Sequence, residues 1–245
     1  MLDLGPKLLY PLFAFTISVG LPVSASAATK TFLIGSYEEL LVEGDITVIL
    51  DNNRTPSAKA SGDRALVEAL KIERNGLFVR VRIQDYEGKT QSARVNQPLV
   101  VHLGGRGVTR ISADGSASIS VNQLRSAGGT ATLKLSGPGS IAVDRLESDR
   151  ANLSVTGSGG ITIGGGKVRV GQINMDGTGT ISAAPLAIQQ AKLTQSGNAR
   201  THLSVSEQID ISNSGAGTIT IDGKATCFIR QPGSARIKCG KLTQP

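Results

Sequence analysis

The stretch VTGSGGITI, residues 155–163, joins four small residues to an apolar alternation, and close copies of it recur along the chain. The copies are LSGPGSIAV at 135–143, MDGTGTISA at 175–183 and NSGAGTITI at 213–221. Glycine can turn the backbone sharply where a Cβ atom would clash, and Ile-Thr-Ile has the two-residue period of a strand. Each copy therefore predicts a tight corner followed by a strand with one buried face.

The first glycine of each small-residue cluster marks the repeat. Successive markers are separated by 22, 20, 20, 20, 18 and 18 residues, and a nearly fixed period of this length is typical of repeat architectures. We predict that these glycines occupy the corners of successive coils: Gly115, Gly137, Gly157, Gly177, Gly197, Gly215 and Gly233.

Apolar residues surround each marker at fixed offsets. They stand four and six residues after it, as Ile161 and Ile163 do, and six and four residues before it, as Ala151 and Leu153 do. The residues between them are mostly Ser, Thr, Asn, Lys or Arg, as expected for strands with one buried face. A third apolar point, which fits a short third side, is found at Leu124, Leu146 and Leu186.

These patterns predict an all-β fold, a parallel β-helix or solenoid with about 18–22 residues per rung. A rung cannot bury its apolar face alone, so each strand pairs in parallel with its equivalent in the next rung. Parallel crossovers have a strong right-handed preference, and we therefore predict a right-handed coil. An α-helical fold is disfavoured because glycine and β-branched residues are dense.

The first 27 residues have the pattern of a secretory signal peptide. Lys7 precedes an apolar run that is broken by Pro11 and Pro22, and the small residues Ala-Ser-Ala end at Ala27. We predict cleavage after Ala27 and export to the periplasm, the cell surface or the medium. No later apolar stretch has the roughly 20 residues that a membrane helix needs.

The exported part is predicted to be one domain with two regions. Residues 28–103 are expected to form a less regular N-terminal cap with the first coils, in which residues 62–76 show helical spacing. Residues 104–245 are expected to form the regular solenoid repeats of the same domain. An uncapped end would expose strand edges, so self-association through the solenoid ends is a further expectation.

Composition limits the partners of the protein. A net charge of +7 favours anionic partners, but the charges are scattered without a run of like sign, which favours an ordinary solvated surface. Nucleic acid is not an expected partner, because no binding motif occurs and the chain is predicted to be exported. No aromatic residue lies between Glu87 and Cys227, so we expect a narrow aliphatic core and walls without platforms for stacking sugars or bases.

Residue types that carry chemistry are sparse. His102 and His202 have no Cys or acidic partner at the spacing of a metal site. Acids at one offset are several rungs apart, as Asp114 and Asp176 are, whereas retaining glycoside hydrolysis needs a close carboxyl pair. A pair contributed by different faces of the coil remains an open alternative. The glycine-rich segments lack the full phosphate-loop and dinucleotide patterns. We therefore predict no catalytic residue, no metal site and no cofactor, although a Ser-His-Asp set could still assemble in space.

The two cysteines, Cys227 and Cys239, stand six residues to either side of the marker Gly233, at inward positions of the last rung. An exported protein meets an oxidising compartment, so we predict a disulfide that closes the end of the coil. Two buried free thiols are the alternative, because a disulfide needs Cα atoms within about 7 Å and two walls of a coil can stand farther apart.

The chain resembles the bacterial GIN-domain family, exported β-helical proteins whose domain of unknown function is labelled an adhesin head. The resemblance covers nearly the whole mature chain. It is carried by Phe32, by VEGDITVIL at 42–50, by ASGDRALVEALKIERNGLFVRV at 60–81 and by recurring Gly-Ser-Gly-x-Ile units such as 157–161. The resemblance implies an exported β-helical domain and transfers no catalytic residue, because the family has no established site motif.

Three functional hypotheses follow from these observations. The first is a non-enzymatic binding or structural module of the cell envelope, adhesin-like, whose flat Ser/Thr/Asn ladders meet an envelope glycan or a protein partner. The second is an enzyme acting on a polysaccharide, which a long groove with convergent acids would favour. The third is an end-to-end assembly unit, which uncovered terminal strand edges would favour.

Overall fold

The computed structural model describes residues 27–84, 98–231 and 233–243. The predicted signal peptide lies outside these residues, apart from Ala27, and it stays a prediction. The described strands form one coiled 16-stranded sheet, and the described residues contain one helix. In chain order the elements are β1 Ala27–Phe32, β2 Glu39–Glu43, β3 Thr47–Asp51, β4 Asn53–Asp63, α1 Arg64–Ala69, β5 Leu70–Asn75, β6 Phe78–Ile83, β7 Val100–Arg106, β8 Arg110–Asp114, β9 Ser118–Ser136, β10 Ser140–Gly157, β11 Gly160–Ile163, β12 Gly166–Gly177, β13 Thr180–Gly197, β14 Arg200–Asn213, β15 Thr218–Gln231 and β16 Arg236–Thr243.

Successive coils stack in parallel, with equivalent residues of the repeats side by side. Ile141 in β10 lies opposite Ile119 in β9 and Ile161 in β11, and Ile161 in turn lies opposite Ile181 in β13. About six turns follow one another in this way. The predicted all-β parallel solenoid is therefore confirmed, and its right-handed sense stays a prediction.

Differences in rung length arise on the third side of the coil. The 22-residue repeat contains extra residues at 127–129, where the register between β9 and β10 shifts. The repeats become shorter after β13, because residues 184–186 of that strand have no counterpart in β14. The two main sides keep their register from β9 to β14, which explains why the inward offsets recur although the period changes.

The alternation of apolar and polar residues has the facing that the sequence predicts. Ile161 and Ile163 are buried, whereas Thr162 between them is exposed. The apolar residues on the third side of the coil are also fully buried, namely Leu124, Leu146 and Leu186. Burial of one such side chain stabilises the fold by about 1.5–3 kcal/mol, so the stacked aliphatic ladders form the core.

A further buried row lies two residues before each marker from Gly115 to Gly215, beyond the offsets that the alternation predicts. Leu135, Val155 and Met175 fill it in three successive coils, and Gln195 and Asn213 fill it in the two coils that follow. Gln195 is buried because its Nε2 donates to the Ala199 carbonyl oxygen at 3.3 Å and its Oε1 accepts from Thr201 Oγ1 at 2.7 Å. These hydrogen bonds offset the cost of removing the amide from water.

The marker glycines lie at the corners of the coils. Six of them have positive φ angles, namely Gly115, Gly137, Gly157, Gly177, Gly197 and Gly233. Gly215 does not, but a Cβ atom on it would meet the carbonyl group of Gly197 in the preceding coil. The corners are thus stacked so closely that backbone amides pair between coils, as the Gly159 N–H does with the Gly137 carbonyl oxygen at 2.9 Å.

The N-terminal segment begins the coil and adds antiparallel strands to it. β2 pairs in parallel with β8 and β3 with β9, so these two strands are the two main sides of a first coil. β4 pairs antiparallel with both β1 and β7, and β5 forms an antiparallel pair with β6. Part of the predicted cap, residues 85–97, lies outside the described residues.

Helix α1 is shorter than the helical spacing over 62–76 predicts. It begins after Asp63, whose carboxylate accepts the Ala65 N–H at 2.9 Å, and it ends at Ala69. From Leu70 the chain continues as β5 and returns as β6, because pairing with β6 satisfies the backbone of this segment. The helix found in the described residues is too short to cross a membrane.

Candidate functional site

The outward side chains of the coils form two flat walls. Wall 1 consists of the described outward residues five, three and one positions before each marker. Wall 2 consists of those three, five and seven positions after it. Paired strands are about 4.8 Å apart, so each wall is a grid of side chains at fixed spacing. In the middle coils wall 1 presents mostly neutral hydrogen-bonding groups, and its charged residues there are Lys134 and Asp176. The neutral groups include Thr132, Asn152, Ser154, Gln172 and Asn174.

The C-terminal end of wall 1 carries an aromatic ring. Phe228 lies between the buried residues Cys227 and Ile229 in β15, so its ring faces outward, and it is half-exposed. The strand register places it beside Asp210 of β14, which lies beside Lys192 of β13. The expectation of walls without an aromatic platform is therefore wrong at this end, although the repeat count itself puts residue 228 at an outward offset.

Two adjoining hollows lie next to this ring and share Asp210 and Arg230. The hollow that contains Phe228 and Gln208 has a volume of about 450 Å³, and the one that contains Lys192 has about 310 Å³. Arg230 Nη2 lies 3.5 Å from Asp210 Oδ1, and the guanidinium is largely exposed. We name Gln208, Asp210, Phe228 and Arg230 the Phe228 surface. It presents an apolar ring next to an amide, a carboxylate and a guanidinium.

The predicted cysteine pair lies behind this surface. The Sγ atoms of Cys227 and Cys239 are joined in the structure, and their Cα atoms are 6.6 Å apart, within the range that disulfides span. Cys227 is buried directly before Phe228 in the strand, and Cys239 is partly buried in the last rung. A bond here would hold β16 against the end of the core and fix the strand that bears Phe228. The predicted disulfide stays a prediction.

Several carboxylates elsewhere on the coils are held by arginines. Arg169 Nε donates to Asp149 Oδ1 at 2.6 Å, from one coil to the next, and this hydrogen bond holds the pKa of the Asp149 carboxyl below its usual value. The hydrogen bond from Arg145 to Glu147 at 2.7 Å likewise lowers the pKa of the Glu147 carboxyl. Such acids stay ionised near neutral pH and are poor proton donors, so they act as structural ion pairs.

The histidines lie on wall 2 and at its N-terminal end. His202 Nε2 and Asp222 Oδ2 are 2.6 Å apart, so His202 has an acidic partner that its sequence spacing does not reveal. His102 faces a hollow of about 700 Å³ that also includes Asp51 and Lys59. In the part of the chain that the structure describes, no Ser or Thr hydroxyl is hydrogen-bonded to either ring.

Acids that share an offset remain far apart in the coil. Asp144 in β10 and Asp222 in β15 are separated by the intervening strands β11, β13 and β14. Over residues 27–84, 98–231 and 233–243 no three His, Cys, Asp or Glu side chains are grouped as metal ligands would be. The residues that the geometry does bring together are those of the Phe228 surface.

Fold and surfaces define a β-solenoid that presents rigid, regularly spaced walls, as repeat proteins with extended binding surfaces do. The chain belongs to the family described as "Putative auto-transporter adhesin, head GIN domain", whose model matches residues 36–225. The resemblance seen in the sequence is therefore confirmed. No functionally curated protein matches the chain.

Solved structures share the fold at low sequence identity. A crystal structure of a "putative adhesin" from Bacteroides fragilis NCTC 9343 has a TM-score of 0.72 at 15% identity, covering 90% of this chain and 97% of that one. A "putative adhesin" from Parabacteroides distasonis ATCC 8503 has 0.61 at 20% identity, with coverage of 91% and 98%. A "putative lipid binding protein" from the same strain has 0.63 at 16% identity, with coverage of 88% and 97%. These likenesses show the fold.

Proposed function

We propose that this protein is an exported, non-enzymatic binding module of the cell envelope that holds a polysaccharide against wall 1, with the Phe228 surface as its main contact. The observation that carries the proposal is the outward ring of Phe228 beside two hollows that share Asp210 and Arg230. The apolar face of a sugar ring packs on an aromatic ring, while carboxylate, guanidinium and amide groups bond to its hydroxyls.

The scaffold supports binding of this kind because it is already ordered. Phe228 is on a strand that is paired in parallel with β14 and β16, so little backbone freedom is lost when a ligand binds. The Asn, Gln, Ser and Thr side chains that continue along wall 1 give further contacts to a long polymer. Several weak contacts along one polymer raise its overall affinity.

The non-enzymatic assignment is supported by the state of the acids. Asp149 and Glu147 are tied to arginines, and the shared-offset acids are on distant strands. The adhesin label of the family agrees with a binding role, and the polysaccharide-acting enzyme remains the alternative. Release of reducing ends from envelope polysaccharide incubated with the purified protein would favour that alternative.

Export is part of the proposal and rests on the pattern of residues 1–27. Cleavage after Ala27 leaves a mature chain that starts at Ala28. N-terminal sequencing of the protein from a periplasmic or culture fraction is expected to begin at Ala28. An intact Met1 in the exported fraction would contradict the signal peptide.

The binding test compares two outward phenylalanines. Phe78 in β6 is also half-exposed and lies beside Glu39 in the first coil, at the opposite end of wall 1 from Phe228. A glycan array first identifies the bound sugar, and isothermal titration calorimetry then compares Phe228→Ala with the control Phe78→Ala. We expect Phe228→Ala to weaken binding about 10- to 100-fold, as loss of an aromatic hot spot does, and Phe78→Ala to leave it nearly unchanged. Equal affinities for both variants would refute the proposed contact.

Self-association is a second property that one observation favours. Among the described strands β16 pairs with β15 alone, so its other edge can accept a strand from another molecule. Sedimentation velocity over a range of protein concentrations tests this, with concentration-dependent oligomers as the expected outcome. A strictly monomeric protein at high concentration would rule the end-to-end assembly out.

A further inference from the structure

Wall 2 carries three cations at its C-terminal end. The register places Arg200 of β14, Thr218 of β15 and Arg236 of β16 in one outward row. Lys238 follows in the next row, beside Thr220. All three cationic side chains are exposed, and Arg200 and Arg236 are two strand spacings apart, roughly 10 Å.

Most arginines of the described residues are paired with a carboxylate, whereas these three cations are not. Arg80 is paired with Glu43 at 2.6 Å, Arg169 with Asp149 at 2.6 Å, and Arg230 with Asp210 at 3.5 Å. Within the described residues no carboxylate lies within ion-pair distance of Arg200, Arg236 or Lys238. The nearby carboxylate of Asp222 is bonded to His202 instead.

We infer that Arg200, Arg236 and Lys238 form a site for an acidic polysaccharide, one that bears carboxylate or sulfate groups on its sugars. Guanidinium groups bind planar carboxylates and sulfates through paired N–H donors. Thr218 lies between Arg200 and Arg236, and Thr220 lies beside Lys238, so their hydroxyls can bond to the sugar hydroxyls. A rigid row with two arginines two strands apart fits a stiff polymer with repeated charge.

The surroundings favour a polysaccharide over an anionic membrane. Surfaces that insert into lipid combine basic residues with exposed apolar side chains. The large hydrophobic residues that are exposed in this structure, Leu33, Ile49 and Leu77, belong to the N-terminal segment. Around the three cations the wall instead continues with hydroxyls, at Thr180 and Ser182.

The inference rests on the proposed function only in that an envelope polysaccharide is the partner. The inference specifies that the polysaccharide is acidic, and it places a second contact on wall 2. The two contacts can be tested separately, because Phe228 belongs to wall 1 and the three cations belong to wall 2.

The test measures binding of the purified protein to sodium polygalacturonate, dextran sulfate and neutral dextran by biolayer interferometry at low and high salt. The variant replaces all three cations, Arg200→Gln, Arg236→Gln and Lys238→Gln. A charge-matched control replaces three exposed lysines away from the C-terminal ends of both walls, Lys59→Gln, Lys71→Gln and Lys167→Gln. Melting curves check that both triple variants stay folded.

We expect the wild type to bind the acidic polymers with an affinity that falls as salt rises. At low salt the wall 2 variant should bind the acidic polymers about 10-fold or more weakly than the wild type, and the control about 2-fold or less. Equal losses in both variants would show general charge attraction and overturn the site. Binding to vesicles containing phosphatidylglycerol but not to the acidic polymers would overturn it in favour of a membrane.

The Phe228→Ala variant separates this inference from the proposed function. If Phe228→Ala loses glycan binding while the wall 2 variant keeps full affinity for the acidic polymers, the inference fails and the proposed function stands. If the wild type binds neither the neutral nor the acidic glycans, the proposed function fails and the inference fails with it.

Discussion

Replacement of Gly157 by alanine tests the stacked corner that defines the fold. Gly157 has φ of +111°, a conformation that an L-residue with a Cβ atom rarely adopts. A Cβ atom there would stand 3.0 Å from the Gly137 carbonyl oxygen and 3.2 Å from the Gly137 Cα atom in the preceding coil. The change therefore combines backbone strain with a close contact to backbone that cannot move freely.

Relief of the strain by rotation of the backbone would break hydrogen bonds. The Gly157 carbonyl oxygen accepts the N–H groups of Thr178 at 2.9 Å and Gly179 at 3.0 Å. An unfavourable backbone conformation costs about 1–3 kcal/mol, and each lost hydrogen bond about 1 kcal/mol. We expect Gly157→Ala to lower the free energy of unfolding by about 2–3 kcal/mol, which corresponds to a fall in Tm of roughly 4–12 °C.

Two other glycines separate the causes. At Gly160 a Cβ atom would stay 3.5 Å from the Thr180 carbonyl oxygen, an ordinary contact, and φ is not positive. Gly160→Ala should be neutral or stabilising by up to about 1 kcal/mol, because it restricts the unfolded chain. Gly76 has φ of +60° with open space around it, so Gly76→Ala reports strain without a contact. Urea unfolding followed by circular dichroism measures all three, and equal stability of Gly157→Ala and Gly160→Ala would refute the stacked corner.

Three further predictions concern the buried and exposed faces of a strand, the cysteine pair and an ion pair. Ile161→Asp would bury a carboxylate without a partner and should cost several kcal/mol, whereas the exposed Thr162→Asp should cost little; equal melting temperatures would contradict the assigned faces. Mass spectrometry of the alkylated, non-reduced protein should find Cys227 and Cys239 unmodified and linked, and two alkylated thiols in exported material would rule the disulfide out. The folded-state pKa of Asp149 is lowered, so its contribution to the stability of the fold is present above the unfolded-state pKa, about 4, and is lost as the pH falls through the folded-state pKa. The difference in Tm between wild type and Asp149→Asn should therefore vanish in acid. A difference in Tm that does not change with pH would contradict the ion pair.

The repeat could be predicted from the sequence because its corners and inward residues recur at fixed offsets. Ile161, Thr162 and Ile163 have the faces that simple alternation assigns to them. The buried row two residues before the markers could not be predicted where it contains amides, because a polar side chain is expected to face solvent. Asn213 is fully buried, with Nδ2 donating to the Gly215 carbonyl oxygen at 2.9 Å, and only the folded corner provides that acceptor.

The candidate site was less accessible to sequence reasoning. The offset count identifies Phe228 as outward, but the hollows beside it depend on how Arg230 lies against Asp210 in the neighbouring coil. The grouping of Arg200, Arg236 and Lys238 without an acidic partner can be seen only when the strand register and the ion pairs of the coils are known. Residues 62–76 have apolar spacing that fits a helix, yet the second half pairs as a strand because β6 supplies backbone partners.

The measurement that bears most directly on a binding role is NMR titration of the labelled protein with polysaccharide released from the cell envelope. We predict that the largest shifts occur at the ring of Phe228, the side-chain amide of Gln208 and neighbouring positions of β14 and β15, with little change in the first coil. Shifts that are confined to the hollow around His102, or no shifts at saturating polysaccharide, would contradict binding at the C-terminal end of wall 1.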